Sequence, residues 1–277
     1  MIEKGSQDYK DLQRAVSLLE TPSLTARISN LIGSPIEAGV NKLPANWKEK
    51  INDLTKAALF KAVDGALLTM DNNPGEESST KLNKLYAATS GAVGGAFGLA
   101  GIAVELPIST TIIMRAIADV ARSEGFDLED FRTKTACIEV LSLGGETSKD
   151  DAAETGYYIT RAFMTEMSSA FGKGMIEAAA RAAKPLTLGF SGITGKQTGS
   201  MLAKLIERVA QRFGIVITQK VAVQAAPIVG ALSGAAINTL FTDFYQDMAR
   251  GHFIVKRLEL KYGEEMIKDQ YTALAKG

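Results

Sequence analysis

Two long stretches of the sequence contain no charged residue, and they constrain the fold more than any other feature. They span residues 85–104 and 221–242, which is 20 and 22 positions. A helix of about 20 apolar residues is long enough to cross a bilayer. Both stretches, however, are rich in glycine, alanine and small polar residues rather than in leucine, isoleucine or phenylalanine. We therefore favour buried helices of a globular core, with bilayer insertion as the alternative.

Small residues in both stretches recur at helical spacing. Glycines or alanines lie four positions apart, and such a face lets another helix backbone approach closely. Glycine costs about 1 kcal/mol relative to alanine inside a helix, so close packing is expected to compensate this cost. A phosphate-binding loop does not fit, because no strand precedes the glycines and the P-loop and dinucleotide-binding spacings are absent. The glycines predicted to mediate helix packing are Gly91, Gly94, Gly95, Gly98, Gly230 and Gly234.

Apolar residues follow a helical period along nearly the whole chain, and sustained strand alternation is absent. The sequence therefore predicts an all-α protein with roughly ten helices in one compact domain over residues 1–277. The glycine-rich helices are expected to lie at its centre. The sequence leaves open whether the N-terminal helix within residues 1–22 packs in the core or lies at its periphery. Residues 71–80 are predicted to form a surface loop, because they consist of turn-forming and charged residues without helical periodicity.

Capping residues and periodicity predict the bounds of several helices. Residues 46–70 form one amphipathic helical pattern, and residues 127–145 form another that opens with acids and closes on two glycines. A further helix is predicted to begin at Pro107, with proline in its first turn, and to end at Gly125. Residues 214–223 fit a strand or a buried helix equally well.

Composition argues against several functional classes. Lysine plus arginine and aspartate plus glutamate each total 31, so no net field attracts nucleic acid, and aromatic residues make up only 7%. The single cysteine, Cys137, rules out an internal disulfide and a zinc site built on several cysteines. The first residues lack the apolar segment of a signal peptide. We therefore expect a cytoplasmic protein that does not bind nucleic acid.

The charges are distributed unevenly along the chain. Residues 171–220 carry eight bases and two acids, whereas residues 127–166 carry nine acids and four bases. A basic helical stretch beside an uncharged one suits the surface of an anionic membrane. Alternatively, the acidic and basic sectors complement each other within the fold. The basic residues predicted to face a membrane are Lys204, Arg208 and Arg212.

Four segments of the chain resemble a known family. "GAVGGAFGLAGIAVELP" at 91–107, "MRAIADVARSEG" at 114–125 and "CIEVLSLGG" at 137–145 resemble the central signature of the bacterial EcsC family. The segment 226–263 is similar to the closing segment of that family, and the resemblance as a whole covers roughly residues 30 to 275 in the same order. This chain has Glu105 where the family commonly has aspartate. The family is named for a protein encoded beside ABC-transporter components, which implies a role accessory to transport.

Polar residues in or beside these segments are the candidates for chemistry. His252 is the one histidine, and Asp243 and Asp247 lie one helical turn apart. Carboxylates arranged in this way can hold a metal or act as an acid/base pair, but ion pairs and helix caps explain them more simply. We predict no catalytic residue, no metal site and no cofactor. The candidate polar cluster consists of Glu105, Arg115, Asp119, Glu139, Asn238, Asp243, Asp247 and His252.

The sequence is compatible with two candidate functions from different classes. The first is a non-enzymatic, membrane-proximal protein that binds anionic lipid or a membrane protein at the inner face of the membrane, accessory to transport. The alternative is a carboxylate- or metal-dependent hydrolase. A polar cleft joining Glu105, Glu139 and Asp243 would favour the hydrolase. An apolar groove rimmed by the basic segment would favour lipid binding.

Overall fold

The structure is a computed structural model that describes residues 2–32, 40–41, 43–44, 46–67, 70, 72–79, 98–144, 156–162, 196–224 and 231–277. The described residues contain helices and no strand, which confirms the all-α prediction. The described helices are α1 (Gln7–Leu19), α2 (Leu24–Ile32), α3 (Trp47–Leu67), α4 (Gly98–Ser123), α5 (Phe131–Val140), α6 (156–162), α7 (Lys196–Gln224), α8 (Ala231–Tyr262) and α9 (Glu264–Lys276), with a short 3-10 helix over Leu141–Gly144.

Side-chain caps define two of the helix starts. The hydroxyl of Ser6 accepts a hydrogen bond from the backbone N–H of Tyr9 at 3.2 Å and begins α1. The carboxylate of Asp130 accepts from the N–H of Arg132 at 2.9 Å and begins α5. Each cap satisfies an N–H group that the first helical turn leaves without a partner.

The long helix α8 packs against α1, α4 and α9. Its buried face carries large aromatic side chains such as Phe241, Tyr245 and Phe253. Near the start of α4, Glu105 contacts α8, and Glu124 just beyond the other end lies 3.2 Å from Arg250 of α8. The two helices therefore run in the same direction. α3 packs along α4 and α7 and completes the core.

The N-terminal helix α1, which the sequence allowed to be peripheral, lies along α8 in the opposite direction. Lys261 of α8 pairs with Asp8 at 2.6 Å, and Leu19 at the other end of α1 packs against Gly251. A β-carbon at Gly251 would lie 2.6 Å from Cγ of Leu19. Such a distance is too short for an undisturbed contact, so the absence of a side chain at Gly251 permits this helix contact.

The prediction that a helix begins at Pro107 is wrong. α4 spans Gly98–Ser123, and Pro107 lies inside it. Proline lacks the N–H that would bond the carbonyl of Ala103, but Ala103 is exposed, so water can bond that carbonyl. On the buried side, Ile102 and Leu106 pack in the core. This burial stabilises both sides of the proline and keeps the helix continuous.

Residues 72–79 lie along the last turns of α4 and are not helical. The N–H of Gly75 donates to the carbonyl of Arg122 at 2.7 Å, and the guanidinium of Arg122 donates to Glu76 at 2.6 Å. The N–H of Ser79 also donates to the carboxylate of Asp119. The segment is therefore attached to α4 by both backbone and side-chain hydrogen bonds.

The predicted glycine contacts fall largely outside the described part of the chain. Gly91, Gly94, Gly95 and Gly230 are not among the described residues, and for Gly98 and Gly234 the structure describes only their place in α4 and α8. The two uncharged stretches are likewise described only in part. Within the described residues, Gly101–Ser123 is the one helical stretch long and apolar enough to cross a membrane, and 61% of its most apolar window is buried within the protein.

Candidate functional site

A buried cluster of polar and charged side chains joins three helices of the core. Oε1 of Glu105 in α4 accepts hydrogen bonds from Nζ of Lys220 in α7 at 2.7 Å and from Nδ2 of Asn238 in α8 at 2.8 Å. Lys220 also donates to Oγ of Ser109, one turn after Glu105, at 3.3 Å. The side chains of Glu105 and Lys220 are only 4% and 1% exposed. We call these four residues the charge cluster.

The charge cluster holds Glu105 in its ionised form. Burial by itself opposes ionisation, but the Lys220 ammonium and hydrogen bonds from Lys220, Asn238 and Ser109 outweigh it and lower the pKa of Glu105. The ammonium of Lys220 also lies 5.4 Å from the ring centroid of Phe241, within range of a cation–π contact. Each buried charge therefore has a compensating neighbour, and loss of either partner would leave the other charge buried alone.

A row of further polar side chains continues from the charge cluster along α8. Asn238, Thr242 and Gln246 are four residues apart, so they share one face of the helix, and all three are buried. Within the described structure, Oγ1 of Thr110 and Thr242 and both amide atoms of Gln246 have no hydrogen-bond partner. Because an unsatisfied buried polar group is costly, these side chains contribute less to stability than apolar residues of the same size.

The structure brings together only part of the predicted polar cluster. Glu105 and Asn238 meet, whereas Asp119 pairs with Arg122 at 2.8 Å. Asp247 lies 3.7 Å from Arg27 of α2, within the range of an ion pair but longer than a hydrogen bond. Of the remaining predicted residues, Glu139 is buried in α5 and Arg115 and Asp243 are half-buried on α4 and α8.

His252 belongs to a separate buried group. Its Nδ1 lies 3.0 Å from the hydroxyl of Tyr157 in α6. Burial, together with the nearby cations of Lys256 and Arg161, lowers the pKa of His252 well below its usual value, so the imidazole is neutral at physiological pH. Arg161 in turn forms a bidentate pair with Glu259 at 2.5 and 2.7 Å. This group links α6 to α8.

Comparison with protein-family models identifies the family to which this chain belongs. The model of the EcsC protein family matches residues 7–258. The chain belongs to the EcsC family. The match begins earlier and ends earlier than the resemblance in the sequence suggested, and it includes every residue of the charge cluster. Neither a curated protein nor a solved structure matches the chain significantly.

Lys220 is the functional candidate that the sequence analysis of this EcsC-family protein missed, because it enters there only as one of the eight bases of residues 171–220. The sequence does contain a signal that indicates this ion pair. Lys220 is the one charged residue between Arg212 and Asp243, and Glu105 is the one charged residue between Lys84 and Arg115. Two lone charges of opposite sign, each within an apolar segment, are expected to pair when the segments pack together.

The three bases predicted to face a membrane occupy different environments in the EcsC-family protein. Lys204 is exposed and Arg208 is half-exposed on α7. The guanidinium of Arg212 donates to the carbonyl of Ser142 at 3.0 Å and to Oγ1 of Thr160 at 3.3 Å. Arg212 therefore connects α7 to two neighbouring segments. Within the described residues, no group of three or more histidine, cysteine, aspartate or glutamate side chains is arranged to hold a metal ion.

Proposed function

We propose that this EcsC-family protein is a non-enzymatic membrane-proximal protein that binds an anionic lipid surface through the outer face of α7. The observation that supports this proposal is the composition of that face. Lys204, Arg208, Gln211 and Ile215 recur at intervals of four, three and four residues, so they form one stripe on the helix. Lys204, Gln211 and Ile215 are exposed, and 56% of Ile215 is accessible.

The opposite face of α7 is firmly anchored in the core. Ile206, Val209, Phe213 and Val216 are buried there. A helix that buries one face in the protein and presents bases with an apolar residue on the other has the composition of an interfacial helix. The outer face can therefore contact lipid without unfolding the protein.

Exposed apolar residues also lie on α4. Val104 and Ile108 lie one turn apart and are 67% and 48% exposed. The charge cluster ties this part of α4 to α7, because Glu105 lies next to Val104 and contacts Lys220. Burial of apolar surface in lipid contributes about 25 cal/mol per Å². We therefore expect both charge attraction and shallow apolar insertion to contribute to binding.

The placement of the bases determines how lipid binding should depend on salt. Lys220 is buried and Arg212 bonds within the protein, so Lys204 and Arg208 are the bases that this face of α7 offers to lipid. The exposed acid beside them, Glu207, lies 3.1 Å from Lys56 of α3. Each base near an anionic surface contributes about 1 kcal/mol, and the Debye length is about 8 Å at physiological salt. Binding should therefore weaken as salt rises, while the apolar contribution persists.

Liposome flotation tests the proposal with a matched control. Lys204→Gln combined with Arg208→Gln should lower partitioning to anionic vesicles about 30-fold, because the two substitutions remove about 2 kcal/mol of binding free energy. The control is Lys10→Gln combined with Arg14→Gln, which removes an exposed lysine and arginine at the same spacing on α1 and should change little. Absence of flotation at low salt, or equal losses in both double variants, would refute the proposal. No described feature favours the hydrolase alternative, which stays an untested prediction.

A further inference from the structure

A pocket of about 350 Å³ lies where α5, α6, the end of α8 and the start of α9 meet. This volume is within the range of small-molecule sites, about 300 to 1,000 Å³. Its walls combine three bases, three acids and a few apolar or hydroxyl side chains. The lining residues that carry the argument are Arg132, Arg161, Lys256, Asp130, Glu259 and Glu264.

The three acids of the pocket all have donors or cations beside them. Glu259 accepts both arms of the Arg161 guanidinium and the hydroxyl of Tyr158 at 3.2 Å. Asp130 accepts the N–H that begins α5. Glu264 lies 3.7 Å from Arg161, in the first turn of α9, where the helix dipole favours an acid.

Two of the three bases have no such partner. Among the described residues, Arg132 and Lys256 form no side-chain hydrogen bond and no ion pair, and Lys256 is half-buried. The total formal charge of the lining is balanced, and Arg161 is the base that lies beside both Glu259 and Glu264. Arg132 and Lys256 are therefore the two lining bases whose donors are available to a ligand. Phe126 and Leu260 provide apolar surface beside these two bases, and Leu260 is 80% exposed.

We propose that this pocket binds a phosphate group through Arg132 and Lys256, carried by a small phosphate monoester or by a lipid headgroup. A guanidinium presents a planar set of donors that matches phosphate oxygens, and an ammonium adds a compact positive charge. The pocket is larger than a phosphate ion, so an organic part of the ligand has room against Phe126 and Leu260. The pair of Arg161 with Glu259 holds one wall in place. This site is independent of the outer face of α7 and does not rest on the membrane proposal.

Isothermal titration calorimetry tests the site with three probes. These are inorganic phosphate, glycerol 3-phosphate and a short-chain phosphatidic acid below its micelle concentration. Saturable binding of at least one probe is expected. Tightest binding of glycerol 3-phosphate would identify a free monoester as the source, and tightest binding of phosphatidic acid would identify a lipid headgroup. No saturable binding of any probe at millimolar concentration would overturn the proposal.

Variants separate a specific site from general attraction to a basic protein. Arg132→Gln and Lys256→Met should each weaken binding of the best probe about tenfold or more, because each removes a charged donor. Arg14→Gln and Lys10→Met remove an exposed arginine and lysine on α1 and should leave binding unchanged. Arg132 is exposed, so its variant is expected to fold even if Lys256→Met does not. Parent-like affinity in Arg132→Gln would overturn the assignment, as would equal losses in the α1 controls.

Discussion

Replacing Lys220 by methionine should destabilise the protein strongly, because it leaves Glu105 as a buried carboxylate without its cation. The two charged atoms are 2.7 Å apart, and neither side chain is more than 4% exposed. Two unit charges at this distance attract by about 6 kcal/mol at an effective dielectric constant of about 20. Asn238 still donates to Glu105 in the variant, and the variant no longer buries an ammonium. We therefore expect a net loss of about 3–5 kcal/mol in the free energy of unfolding.

A double variant distinguishes the loss of a charge partner from a simple packing defect. Glu105→Gln combined with Lys220→Met removes both charges and keeps an oxygen that accepts from Asn238. We expect its stability to fall within about 1.5 kcal/mol of the parent, because no uncompensated charge stays buried. Urea denaturation of the parent, both single variants and the double variant measures the coupling directly. A double variant as unstable as Lys220→Met alone would refute the electrostatic account.

The pH dependence provides a second test with a defined sign. In the parent, the pKa of Glu105 is lowered from 4.5, so its contribution is fully present above about pH 4.5 and is lost as pH falls through the lowered value. In Lys220→Met, burial without a cation should raise the pKa of Glu105, so its penalty should shrink as the pH falls through that raised value. The stability gap between parent and variant should therefore narrow between pH 7 and pH 4.5. A gap that stays constant would contradict this reasoning.

Two further substitutions test the packing of α8. Gln246→Met should raise the free energy of unfolding by about 1 kcal/mol, since it replaces a buried amide without partners by an apolar side chain of similar size. A thermal melt checks this, and a lower melting temperature would show that the amide is satisfied in solution. Gly251→Ala should cost about 1–3 kcal/mol, because the new β-carbon would approach Cγ of Leu19 to 2.6 Å. Leu19→Ala in the same background should recover part of that loss if this contact is the cause.

Helix positions in this chain were predictable where the signals are local. The amphipathic pattern at 46–70 corresponds to α3 at Trp47–Leu67, and the ambiguous segment at 214–223 is helical within α7. Periodicity and capping depend on residues three or four positions apart, so the sequence contains them directly. The match to the EcsC family over residues 7–258 likewise depends on sequence alone.

The partners of the buried charges were not predictable in this way. Glu105 and Lys220 are 115 residues apart, and the sequence offers many other carboxylates for each base. The apolar segments around these two residues indicate burial, but only the packing of α4, α7 and α8 decides that they meet.

The amino-acid sequence by itself determined the all-α class, the family and most helix positions, because these depend on composition and on short-range spacing. Tertiary structure decided that α4 continues through Pro107, because burial of Ile102 and Leu106 outweighs the loss of one backbone hydrogen bond. It also decided which charges face solvent and which face each other. Lys204 and Lys220 are the same residue type on one helix, yet one is exposed and the other lies in the core with Glu105. The physical reason is that burial and ion pairing depend on which helix faces pack together in three dimensions.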